Sequence, residues 1–149
     1  MSLAERSLCP ISQALEVVGD RWSLLIVRDL AFTEKRRFRE LLQSDEGISS
    51  TVLSDRLGRL VEAGVLTRHG HPRHRQMAVY SLTPMGVDLL DVVVSLGIWG
   101  RRHLVVTDAS SGVVADLECG GQRALEQLRR RVWQEHDAAG HAAKGTAQG

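Results

Sequence analysis

The sequence predicts an α+β, mostly helical chain, and three features within residues 37–83 carry that prediction. The stretch RFRELLQS (37–44) has the short apolar stripe of an amphipathic helix. The stretch STVLSDRLGRLVEAG (50–64) sets Leu53, Leu57, Leu60 and Val61 on one helical face and stops at Gly64. Two strand-like runs, LTRHGH and QMAVYSLT, then flank the basic loop PRHR. A short helix, a turn, a longer helix and a charged hairpin follow the order of a winged helix-turn-helix. The helices on either side of this unit are expected to serve dimerisation.

The remaining elements follow from caps and breakers. Cys9-Pro10 opens a helix over about 10–18, since proline is tolerated in a first turn, and Gly19-Asp20 ends it. A second helix over 22–31 has Trp22, Leu25, Ile26 and Leu30 at helical spacing. Ser49 is placed to cap the helix that follows it. Thr83-Pro84 starts a long helix to about Leu104, with Leu89, Val92 or Val93, Leu96 and Trp99 along one stripe. Leu89, Val93, Leu96 and Trp99 are the candidate dimer contacts, because this stripe exceeds what one domain needs. Domain one is therefore 1–104. In the extension 105–149, TDASSG predicts a turn inside a hairpin or extended pair, 122–135 predicts a helix, and 138–149 predicts disorder.

Composition narrows the class. A hydrophobic content of 43% and a charged content of 25% are ordinary globular values. No apolar run approaches the roughly 20 residues that span a bilayer, and the N-terminus has no secretory pattern, so the expected compartment is the cytoplasm. Two cysteines are too few for a disulfide scaffold. The net charge is only +1, but residues 21–80 hold eleven Lys/Arg against seven acids. The excess lies on the proposed nucleic-acid-reading unit. No phosphate loop, nucleophile constellation or paired metal motif is present, so an enzyme is not expected, and neither is a cofactor.

A recognition helix offers its N-terminal half and solvent face to base edges. Ser49, Ser50, Thr51 and Ser54 are small enough for close approach, and Arg56 and Arg59 are candidate base or phosphate contacts. Asp55 repels phosphate, so it must meet a cytosine amino group, pair with an arginine, or point away. Arg73, His74 and Arg75 at the hairpin tip, and Arg37 among the basic residues 35–39, are candidates for backbone phosphate. The expected partner is double-stranded DNA, with a protein-interaction winged helix as the rival.

At this point the chain resembles the HxlR family of winged-helix regulators, within the MarR-like group. The matching pieces are Cys9-Pro10, GDRWSLLIVRDL (19–30), RFRELL (37–42), GISSTVLSDRLGRLVEAGVL (47–66) and YSLTPMG (80–86). The resemblance implies a homodimer that binds an inverted-repeat operator and regulates nearby genes, more commonly as a repressor. In some relatives the cysteine of the CP pair senses oxidants or electrophiles, so the resemblance implies that role for Cys9. The physics is compatible, because a helix N-terminus favours thiolate. The bland alternative is a small buried hydrophobe. Cys119 is a candidate resolving partner. A competing effector is a small aromatic or lipophilic molecule in a dimer crevice beside Trp22 and Trp99. Metal sets built from His69, His71 and His74, or from Cys119, His103 and His136, lack zinc-site spacing.

Overall fold

A computed structural model describes residues 7–70, 73–74 and 77–145. Six helices and two strands follow one another along the described residues. They are α1 (Pro10–Val18), α2 (Ser23–Phe32), α3 (Phe38–Leu42) and α4 (Ser50–Glu62), then β1 (Leu66–His69), β2 (Val79–Leu82), α5 (Pro84–His103) and α6 (Asp108–Gly145). The strands form an antiparallel pair in which Leu66 faces Leu82 and His69 faces Val79. This is the winged helix-turn-helix order, and the fold is mostly helical.

Local chemistry accounts for the boundaries. Asp20 starts α2: one carboxylate oxygen accepts from the N–H groups of Trp22 (2.9 Å) and Ser23 (3.0 Å). Glu40 does the same at α3, accepting from the N–H groups of Arg36 (2.8 Å) and Arg37 (2.9 Å). Ser49 caps α4 by accepting from the Val52 N–H. That helix ends in a Schellman turn. Val65 N–H donates to the Leu60 carbonyl, Gly64 N–H donates to the Val61 carbonyl, and Gly64 takes φ +84°. The Thr83 hydroxyl caps α5 and also reaches the Gly64 carbonyl (2.5 Å), so the start of α5 is stitched to the end of α4. Gly86 is required there, because a Cβ would lie 2.3 Å from the Val65 carbonyl oxygen.

One core serves all of these elements. Ile26, Val27 and Leu30 of α2 meet Leu53, Leu57 and Leu60 of α4 and Val87, Leu90 and Val94 of α5. Val93 belongs to this core as well. It therefore cannot serve as a dimer contact on the surface, and Val92 is the exposed member of that pair.

The segment after 104 departs from expectation. In place of a hairpin or extended pair, residues 108–120 are helical. Thr107 and Ser110 explain the start: Thr107 accepts from the Ser110 N–H and Ser110 accepts from the Thr107 N–H, both at 3.2 Å, a reciprocal cap. Helix α6 turns at Gly121 (φ 61°, ψ −150°) and continues to Gly145, which overtakes both the expected end at 135 and the disorder expected from 138. Residues 146–149 lie outside the described residues. The extension is also no appendage, since Leu128 and Val132 sit in the main core. Arg129 bridges to Asp91 (2.7 Å) and to Asp88, while Glu118 is held by Arg101 (2.7 Å) and Arg102 (2.5 Å).

Candidate nucleic-acid interface

Helix α4 divides its residues cleanly. Leu53, Leu57 and Leu60 are buried, while Ser50, Thr51, Asp55, Gly58 and Arg59 are exposed and Ser54 is partly so. Ser49, also exposed, stands at the mouth of this face as its cap. The structure thus brings Ser49, Ser50, Thr51, Ser54 and Arg59 onto one accessible surface. Arg59 is the most open cation there, with its side chain 69% exposed. Asp55 takes the second of its expected options and pairs with arginine, at 2.7 Å to Arg56 and 3.1 Å to Arg59.

Arg56 behaves differently. Its half-buried guanidinium lies 3.0 Å from Asp20 as well as 2.7 Å from Asp55. Although partial burial works against its charge, Asp20 is held below the usual carboxylate range by hydrogen bonds from Ser23 and Trp22 and by Arg56. One carboxylate therefore joins the start of α2 to the outward helix α4. Sequence reasoning missed Asp20 as a site residue; its only trace was an Asp-x-x-Ser cap pattern at 20–23.

The turn between α3 and α4 is held by charge. Arg28 of α2 donates to both oxygens of Glu46, at 2.6 and 2.9 Å, and to Asp29. The hydrogen bonds from Arg28 push the Glu46 carboxyl down to about 2. Among the basic residues 35–39, Arg37 and Arg39 are exposed. Arg36 instead donates to the carbonyls of Leu30 (2.6 Å) and Lys35 (2.9 Å), which makes it a structural residue.

In the wing, Arg73 and His74 are exposed, whereas His71, Pro72 and Arg75 lie outside the described residues. Cys9 is exposed at the N-cap of α1, and Cys119 is exposed shortly before the Gly121 turn; both are free thiols. Trp99 is 56% exposed and tilts against His103, while Trp22 packs partly into the core beneath Arg21. Two clefts of about 490 Å³ flank α6, and neither is lined by Trp22 or Trp99. No cluster of three metal-ligating side chains occurs among the described residues, and no described helix is long and apolar enough to cross a membrane.

The HxlR-like helix-turn-helix family matches residues 17–108. The chain belongs to that family. An HTH-type transcriptional regulator of Mycobacterium tuberculosis, Rv3095, is 42% identical over 94 residues, covering 63% of this chain and 58% of the relative. The HTH-type regulator YtfH of Escherichia coli is 34% identical over 97 residues, covering 64% and 75%. The match thus spans a little over half the length of the mycobacterial relative. Among solved structures, PA1607 aligns with a TM-score of 0.61 at 34% identity, covering 72% of this chain and 73% of that one. The redox regulator HypR in its oxidised form aligns at 0.57 and 26% identity, covering 66% and 100%. Quinone-bound YodB of B. subtilis aligns at 0.52 and 27% identity, covering 63% and 99%. The two relatives are named as HTH-type transcriptional regulators.

Proposed function

We propose that this HxlR-type regulator binds an inverted-repeat operator as a homodimer, most simply as a repressor. The observation that carries the proposal is the outward face of α4, where hydroxyls and Arg59 stand opposite a fully buried leucine stripe. Two such helices about 34–36 Å apart would meet successive major grooves on one side of a duplex. Ser50, Thr51, Ser54 and Arg59 face the bases. Arg37, Ser49, Arg73, His74 and Arg75 serve the phosphates, and Arg56 holds α4 in place.

Support for a dimer comes from apolar side chains that this chain leaves in water. Val92, Leu96 and Trp99 recur along α5, Ile11 and Leu15 recur along α1, and Leu8, just before α1, is 88% exposed. Leu89 is partly buried beside them. Control by oxidants or electrophiles at Cys9 is supported by its exposure next to Leu8 and Ile11, and by the redox regulator HypR and quinone-bound YodB among the structural neighbours.

Duplexes recovered by selection from random-sequence DNA provide the test. Arg59→Ala should lower both affinity and discrimination between sequences. Arg73→Ala should weaken all duplexes alike and flatten the salt dependence by about one unit of slope. Unchanged affinity in both variants, or binding insensitive to salt, would favour a protein-interaction module instead. Oxidant titrated against the wild type and Cys9→Ser separates the signals: equal responses remove Cys9 as sensor.

A further inference from the structure

Among the described residues, strand β2 pairs with β1 along one edge and meets an isolated antiparallel bridge from Arg37 to Val79 on the other, so the N–H groups beyond that bridge need other partners. Tyr80 N–H donates to the Arg36 carbonyl at 2.8 Å. Two residues on, Leu82 N–H donates to Nδ1 of His136 at 2.7 Å. Nε2 of the same ring donates to the Leu30 carbonyl, 3.0 Å away, near the end of α2. His136 is 2% exposed and lies one turn beyond Val132 on the buried face of α6. A side chain from the C-terminal helix thus stands where a third strand would be, beyond residues 17–108 that the family covers. The next residue, Thr83, is the one stitched to the end of α4.

We propose that His136 is a positioning residue for the DNA-reading unit: its neutral imidazole fastens the free edge of β2 to the end of α2, and protonation of Nδ1 unfastens it. The inference rests on the DNA-binding reading above for its functional part alone. The chemistry of release is simple. Nδ1 accepts only while it lacks a proton; once protonated, it meets the Leu82 N–H donor to donor.

Charge around the ring opposes protonation. Arg36, in the α2–α3 linker, donates to the same Leu30 carbonyl and is itself faced by Glu135 of α6, Glu34 and Glu40. On α2, Asp29 is taken up by Arg28 and lies 3.9 Å from Lys35, while Arg131 of α6 pairs with Glu135 and β2 presents Tyr80. Burial, aided by the Arg36 charge and opposed by the bond to Leu30, pushes the imidazole down to about 4 from its ordinary 6.5. The released ring binds a proton more readily than the docked one between these values. The stabilisation is therefore complete above about 6.5 and is lost progressively as pH falls toward 4.

Amide exchange at Leu82 tests the inference directly, with His136→Gln as the reference. A glutamine amide can accept from Leu82 and donate to Leu30, and it does not titrate. The expected result is wild-type protection in H136Q near neutral pH. From about pH 7.5 to about 5.5, the wild-type to H136Q protection ratio should fall about tenfold. Affinity for a random-sequence duplex about three turns long, measured for both proteins at both pH values, should show the wild type losing ground to H136Q in acid. That comparison cancels every pH effect common to both proteins. Identical pH responses in exchange overturn the acid release. Loss of exchange protection with no change in relative duplex affinity overturns the positioning role. Failure of both proteins to bind any duplex at neutral pH overturns the DNA-binding reading and, with it, the positioning role, while the exchange ratio still decides the release.

Discussion

Helices α4 and α6 each bury a stripe of leucine or valine, but they are held by different kinds of contact. Helix α4 is bounded by its own neighbours: Ser49 caps one end, and Gly64 and Val65 close the other through bonds to Val61 and Leu60. The second half of α6 is held from far along the chain, by Leu82 and Leu30, which lie 54 and 106 residues from His136. A locally bounded helix survives partial loss of its surroundings better than one defined by docking. Helix α4, the proposed DNA-reading helix, is built the first way, and the element that braces the wing is built the second way.

Core truncation breaks this comparison most strongly. Leu57→Ala on α4 and Leu128→Ala on α6 should each cost about 2–5 kcal/mol, with Leu57 toward the upper end because it is the more completely buried. Denaturant unfolding measures both. If α6 were a loose tail, Leu128→Ala would cost well under 1 kcal/mol, and the docking described above would be wrong.

The same contrast explains what the sequence made legible. The helix-turn-helix and wing were readable because their signals sit within a few residues of the structure they produce: Ser49, Gly64, Thr83-Pro84 and the leucine spacing of α4. The start of α6 carried a signal too, since Thr107 and Ser110 cap each other, but a hydroxyl-rich TDASS is equally the composition of a turn. Val93 could not be told from Val92 by periodicity, because the two lie on either side of the boundary between core and surface. His136 left no local trace at all. Its role depends on two backbone groups that only the folded chain brings to it. Arg56 and Arg59 looked alike in sequence, and only the position of Asp20 separates them.

The proposed dimer face gives a second, smaller test. Trp99→Ala should weaken self-association by about 2 kcal/mol, roughly thirtyfold, as truncating a buried interface tryptophan does. Leu89→Ala should act through both folding and association, because Leu89 is already partly packed against the core. Sedimentation of the two variants at low micromolar concentration, beside their unfolding curves, distinguishes these cases. A Trp99→Ala protein with an undiminished dimer would place the interface elsewhere.

The smallest expected effect sharpens the comparison within α4 itself. Arg56 is tied to Asp20, whose other bonds start α2, so removing either partner loosens the seat of the recognition helix. Arg56→Ala should cost about 1 kcal/mol in stability and weaken duplex binding without changing which sequence is preferred. Asp20→Asn should reproduce much of that loss, since an amide still accepts from the α2 N–H groups but no longer attracts the guanidinium. Among the described residues the Arg59 side chain makes only an exposed pair with Asp55, so Arg59→Ala should leave stability within about 0.5 kcal/mol and act on recognition alone. The discriminating measurement is a double-mutant cycle. Coupling between Asp20 and Arg56 in both unfolding and DNA binding assigns Arg56 to positioning, whereas coupling absent from both returns it to the list of direct DNA contacts.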